Sequence, residues 1–148
     1  MNHNVTCRFE WDMGHRLMNH KGKCANYHGH RYTLLATIGA DTLNADGMVV
    51  DFDDIKPEIK GWIDEHLDHA MVLHVDDPLG AEMLKISNVL LLPHHPTAEH
   101  LVEMLATNIS GLLVDFEEPP RRLRLTELVL YETPNCSATW RPQQRNPL

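Results

Sequence analysis

Along the chain the spacing of hydrophobic positions shifts from two residues to between three and four, then back to two. Val5 to Trp11 and Arg31 to Ala40 are rich in β-branched, aromatic and aliphatic residues, which predicts two strands. Gly14 to Gly29, between them, is rich in Gly, Asn, His and Lys and predicts a long loop, a feature that in compact domains usually carries function. Asn44, Asp46 and Gly47 mark a turn, after which Asp53 or Asp54 can cap a helix. Its apolar stripe is Ile55, Ile59, Trp62, Ile63 and Leu67, and Pro57 then has to fall in its first turn. A second helix is predicted from Thr97 as cap, with Leu101, Val102, Leu105, Ile109 and Leu112 as buried stripe, ending before Pro119-Pro120. RRLRLTELVLYE returns to period two and places Leu123, Leu125, Val129 and Tyr131 on one face of a strand. Cys136 to Arg141 supplies its short partner after the Thr133-Pro134-Asn135 turn. Asp76 to Pro96 fits neither period and is expected to be an irregular insertion with a short helix near Leu79 to Leu84.

The order strand, strand, helix, helix, strand, strand points to an α+β fold with an antiparallel sheet. No repeat or linker divides the chain, so residues 1–148 are expected to form a single domain. A chain of 148 residues can bury roughly two thirds of its unfolded surface in one core. Its 43% hydrophobic and 23% charged residues argue against disorder. MNHNVTCRFEWDM has no signal-peptide core, and the aliphatic run Val89 to Leu92 is too short to span a bilayer, so a cytoplasmic location is the default expectation. A net charge of -8 disfavours nucleic-acid binding and requires that any anionic ligand meet a local basic patch. Cys7, Cys24 and Cys136 form no C-x-x-C pair, so neither a disulfide framework nor a four-cysteine zinc site is expected.

Eleven histidines raise the case for a metal, and the stretch CANYHGHRY gives it a place. His28 and His30 stand two apart at the start of a predicted strand, so both project to one face. His15, just past the first strand, joins them if the two strands pair as a hairpin. Three neutral imidazoles with an open fourth position describe a catalytic zinc site; the alternative is a set of surface histidines in a polar loop. Cys24 could be a fourth ligand, a metal-activated thiolate serving as base or nucleophile, or a buried structural cysteine, although Lys21, Gly22 and Lys23 make poor core neighbours. Asp68-His69 sets a carboxylate beside an imidazole at a helix end, and Glu132 closes an apolar strand, where an acid needs a partner, a ligand or the surface. His94-His95, between prolines, reads as exposed loop.

FEWDMGHRL, CANYHGHRY, GMVVDF, LDHAMVL, PTAEH and YETPNCSATW, in this order from Phe9 to Trp140, resemble the 6-pyruvoyltetrahydropterin synthase family, which includes the 6-carboxytetrahydropterin synthases of queuosine biosynthesis. The resemblance implies a tunnelling fold (T-fold), an antiparallel four-stranded sheet with two helices on one face. Subunits of that fold close an oligomeric β-barrel, commonly a homohexamer of two trimers with active sites at subunit interfaces. It implies Zn2+ on His15, His28 and His30, Cys24 as catalytic base, and Asp68 and His69 completing a catalytic triad across the interface. Glu132 matches the acid that anchors the pterin, with Thr97 and Glu99 lining the pocket. The spacing Cys-x-x-x-His-Gly-His is similar to that of the carboxy-forming members, pyruvoyl-forming ones typically having two more residues there. The implied substrate is 7,8-dihydroneopterin triphosphate, with no nucleic-acid or membrane partner. Arg16, Lys21 and Lys23 are candidates for its triphosphate. The run Leu73 to Pro96 is longer than in the shortest members of the family.

Overall fold

A computed structural model describes residues 3–143. Its strands are β1 (His3–His15), β2 (His28–Ala40), β3 (Met71–His74), β4 (Val89–Leu92), β5 (Leu123–Thr133) and β6 (Cys136–Trp140). The helices are α1 (Phe52–His66), α2 (Gly80–Met83) and α3 (Ala98–Leu112), with short 3-10 turns at Lys23–Ala25 and Leu113–Phe116. The strands form one sheet in the order β4-β3-β1-β2-β5-β6. The central β1-β2-β5-β6 portion is antiparallel, as expected.

Two corrections concern the sheet. It has six strands rather than four, and it is mixed, because β3 runs parallel to both β1 and β4. The added pair comes from the LDHAMVL motif and from VLLL inside the supposed irregular insertion. Four-residue strands joined through α2 carry neither alternation nor a hairpin turn, which is why the pattern hid them. The other correction lengthens the first hairpin. β1 and β2 pair through Met13↔His30, Gly14↔Gly29 and His15↔His28, so the predicted Gly14–Gly29 loop shrinks to residues 16–27. The two glycines read as loop but serve close packing. A Cβ on Gly14 would meet the Met71 Cε at 2.6 Å, and one on Gly29 would meet the Met13 carbonyl oxygen at 3.2 Å.

Both long helices cover one sheet face. Cys7, Phe9, Trp11 and Met13 of β1 and Tyr32, Leu34, Ala36 and Ile38 of β2 pack there against Ile55, Ile59 and Ile63 of α1 and Leu101, Leu105 and Ile109 of α3. Leu67 follows on from the α1 stripe and is buried, while Trp62 and Leu112 are only partly so. Asp51, not Asp53 or Asp54, caps α1, accepting a hydrogen bond from the Asp53 amide at 2.8 Å. The helix therefore starts early enough to put Pro57 in its second turn. The proline leaves the Asp53 carbonyl without its helical donor, and both residues are exposed, so water can supply one. Thr97 caps α3 as expected, its hydroxyl accepting from the His100 amide at 3.3 Å.

β5 departs from strict alternation. Leu123 and Leu125 are buried, but the next buried residues are Leu128 and Leu130, not Val129 and Tyr131. The pairing with β2 slips between Thr37 and Ile38, leaving Thr126 as an extra residue in a bulge, its hydroxyl donating to the Thr37 carbonyl at 3.1 Å. A one-residue slip exchanges the faces of everything beyond it. Glu132, in phase with Leu128 and Leu130, is thereby turned to the helix-covered face.

Candidate metal centre and active site

The register of the first hairpin sets the metal site. His15 lies opposite His28, and His30 follows two residues on, so all three side chains share the core face at the open end of the hairpin. Each offers a ligand nitrogen, and the three lie within 4.8 Å of one another. The hydrogen bonds of the rings decide which nitrogen is free. His15 Nδ1 sits 2.8 Å from the Pro96 carbonyl and His28 Nδ1 sits 2.7 Å from the Asn26 carbonyl. A carbonyl only accepts, so Nδ1 carries the proton in both rings and Nε2 keeps its lone pair for a cation. Burial is the main cause holding His15 and His30 below the ordinary imidazole value, outweighing the opposing charge of Glu132. Neutral imidazoles with oriented lone pairs fit a divalent transition metal such as zinc.

Glu132 approaches the same point. Its Oε1 is 3.3 Å from His15 Nε2 and 4.0 Å from His30 Nε2. Beneath them the Tyr32 hydroxyl, fully buried, lies 3.5 Å from both nitrogens of the His15 ring. Burial and then the Glu132 charge push the phenol far above its ordinary value, so it remains protonated. A cavity of about 340 Å³ adjoins the cluster and is lined by His15, Cys24, Thr97, Glu99, Glu132 and Cys136. The 3-10 turn Lys23–Ala25 brings Cys24 to its wall. Thr97 lines it too, with its hydroxyl already engaged as the α3 cap.

Asp68 and His69 stand elsewhere. His69 Nδ1 meets Asp68 Oδ1 at 3.0 Å, so the dyad is formed, but His69 faces a separate cleft of about 520 Å³ and its side chain is 78% exposed. Within one chain it does not join Cys24. Its φ of 58° is left-handed and uncommon for a residue with a side chain. Asp12 holds this conformation from both sides, its carbonyl accepting from the His69 amide at 2.7 Å and its amide donating to Asp68 Oδ1 at 3.2 Å.

Of the candidate cations, Lys21 and Lys23 are exposed, whereas Arg16 is partly buried and its Nε donates to Asp77. His94 is exposed as expected, while His95 turns inward against His74, their ring centroids 4.8 Å apart. Tyr32, Pro96 and Asn26 were missed as parts of the centre. Tyr32 was within reach of period-two reasoning, two residues beyond His30 on its own strand. The two carbonyls left no signal, since any residue carries one.

With this geometry in place, a match of the 6-pyruvoyl tetrahydropterin synthase profile to residues 4–143 decides the grouping. The chain belongs to that family. Among curated members of the family, a 6-carboxy-5,6,7,8-tetrahydropterin synthase from Rickettsia bellii is 40% identical over 134 residues, covering 88% of this chain and 94% of that one. The 6-carboxy-5,6,7,8-tetrahydropterin synthase from Aquifex aeolicus is 31% identical over 133 residues, covering 82% and 77%. The fold is shared with the 6-pyruvoyl tetrahydropterin synthase of Caenorhabditis elegans, at a TM-score of 0.68, 20% identity and 97% coverage of both chains. An uncharacterized protein from Wolinella succinogenes superposes with a TM-score of 0.81 at 18% identity, covering 97% of this chain and 99% of that one. Among the described residues no helix is long and apolar enough to cross a membrane.

Proposed function

We propose that this protein is a zinc-dependent 6-carboxy-5,6,7,8-tetrahydropterin synthase, a carbon-carbon lyase converting 7,8-dihydroneopterin triphosphate to 6-carboxytetrahydropterin, acetaldehyde and triphosphate on the route to queuosine. The observation that carries this reading is the clustering of His15, His28 and His30 beside a cavity that His15 shares with Cys24 and Glu132. Relatives at 40% identity bearing that enzyme's name, and the three residues separating Cys24 from His28, support the carboxy-forming chemistry over the pyruvoyl-forming one.

His15, His28 and His30 hold the zinc, whose contribution when bound is Lewis acidity toward the hydroxylated side chain of the substrate. Glu132 is a carboxylate that accepts paired hydrogen bonds from the pterin ring N-H and exocyclic amine, fixing the ring's orientation. Thr97 and Glu99 border the same cavity and shape the pterin's seat. Cys24, at the wall, takes and returns the proton on the side-chain carbon. The Asp68-His69 dyad of a neighbouring subunit partners the thiol, which accounts for its exposed imidazole and its strained, doubly held backbone. Assembly into a barrel-forming homohexamer, a dimer of trimers, brings these halves together. The protein works in the cytoplasm, and the exposed Lys21 and Lys23 of the loop meet the triphosphate.

Incubation of the zinc-loaded protein with dihydroneopterin triphosphate, with product identification, tests the proposal. Acetaldehyde and a carboxypterin support it. A pyruvoyl product assigns the chain to the pyruvoyl-forming branch, and zinc binding without turnover reduces it to a metal-binding oligomer of the same fold.

A further inference from the structure

Three donors converge on one carboxylate outside the cavity. Asp77 is only 5% exposed, in the segment between β3 and α2. Its Oδ2 accepts from Arg16 Nε at 2.5 Å, and its Oδ1 accepts from the Tyr27 hydroxyl at 2.9 Å and the Leu79 amide at 3.0 Å. The Arg16 guanidinium also lies over the Tyr27 ring, 4.4 Å from its centroid. Arg16 and Tyr27 are the first and last residues of the segment 16–27 that carries Cys24.

One buried side chain from the inserted segment therefore holds both feet of the cysteine loop. Within the loop the Leu17 amide donates to the Cys24 carbonyl at 2.8 Å, so the cysteine's backbone hangs directly beside the Arg16 foot. Packed apolar groups often stabilise a core as well as a buried ion pair does, so the pair's distinctive contribution here is directional. We propose that Asp77 is a positioning residue for Cys24, clamping the loop through Arg16 and Tyr27 so that the thiol is held at the cavity wall. This gives the Leu73–Pro96 segment a role in the site and rests on Cys24 being the base. The histidines stand on paired strands, and His15 is also held by the Pro96 carbonyl; only the Asn26 carbonyl at His28 comes from the loop, so the clamp acts chiefly on the loop and leaves the metal ligands held by strand register.

The test uses the full-length zinc-loaded protein, with Asp77→Asn and Tyr27→Phe as variants. Alkylation of Cys24 by iodoacetamide is followed residue by residue by mass spectrometry, alongside kcat, KM and zinc content. Exposed Cys136, outside the loop, is the internal reference. In Asp77→Asn the Cys24 alkylation rate is expected to rise and kcat to fall, each by about tenfold or more, because a small misplacement of a reacting group is costly. KM, zinc content and the Cys136 rate stay near the parent values. Tyr27→Phe loses one hydroxyl but keeps the stacked arginine, so it changes in the same direction by less, and it carries the test if Asp77→Asn does not fold. Unchanged Cys24 alkylation and kcat overturn the clamp, as does a parallel rise at Cys24 and Cys136, which signals general loosening. If Cys24→Ala retains turnover, the base assignment fails, while the alkylation response still decides whether Asp77 holds the loop.

Discussion

The two halves of the candidate site are built by different means. The histidine half sits on paired strands, where register alone places His15 opposite His28 and alternation brings His30 to the same face. The half proposed for acid–base chemistry sits on irregular backbone: Cys24 on a loop tied down by distant Asp77, and His69 in a left-handed conformation held by Asp12. Rigid strands suit ligands whose spacing must match an ion, since strands place side chains more precisely than loops do. Residues that have to meet a substrate, or a group from another subunit, need reach beyond their own strand.

The contrast is broken most sharply by removing one member of each half. His30→Ala should abolish both bound zinc and turnover, with far-ultraviolet circular dichroism unchanged because His30 lies at the edge of the core. Cys24→Ala should reduce turnover by about 10² to 10⁴ while leaving zinc in place, the loss expected for a proton-transfer group. Loss of zinc from the Cys24→Ala protein, measured by elemental analysis, would make the cysteine a ligand and erase the distinction.

Mixing sharpens the account of the dyad. Cys24→Ala and His69→Ala chains, dissociated and reassembled together in equal amounts, should regain about a quarter of parent activity if each site draws the two residues from different subunits in a symmetric oligomer. No recovery would mean that both residues must come from one chain.

Glu132→Gln tests the group lying between the halves. Pterin affinity measured by titration calorimetry should weaken by about 1.5 to 3 kcal/mol, the value of hydrogen bonds to a charged group, and unchanged affinity would remove Glu132 from the pterin site.

The smallest effect is on stability against pH. Burial holds His15 and His30 below the ordinary imidazole value, while an unfolded histidine titrates near about 6.5. Between the folded and unfolded values the unfolded chain binds more protons, so stability rises with pH across that window and is lost as pH falls below about 6.5. Metal-free protein should therefore melt at a lower temperature at pH about 5.5 than at about 7.5. His30→Ala should show a shallower slope, and an equal slope would show that His30 does not contribute.

Much of this was legible in the chain itself. Helical spacing located α1 and α3, since Ile55, Ile59 and Ile63 or Leu101, Leu105 and Ile109 line up on one face whatever they pack against. The pair His28 and His30 declared a shared face for the same local reason, and six ordered motifs named the family. Long-range pairing lay out of reach. No local pattern announces that Met71–His74 and Val89–Leu92 add parallel strands, that His15 is opposite His28, or that Asp77 reaches Arg16 and Tyr27. Glu132 shows the division most plainly. As a residue type it is a pterin-anchoring acid by resemblance, but strict alternation from Leu125 directs it away from the histidines. The bulge at Thr126 reverses the phase, and a bulge exists only where a partner strand, here β2, leaves one residue unmatched. Composition and period belong to the chain because each acts over a few residues; register, bulge and clamp belong to the fold because each needs two segments to meet.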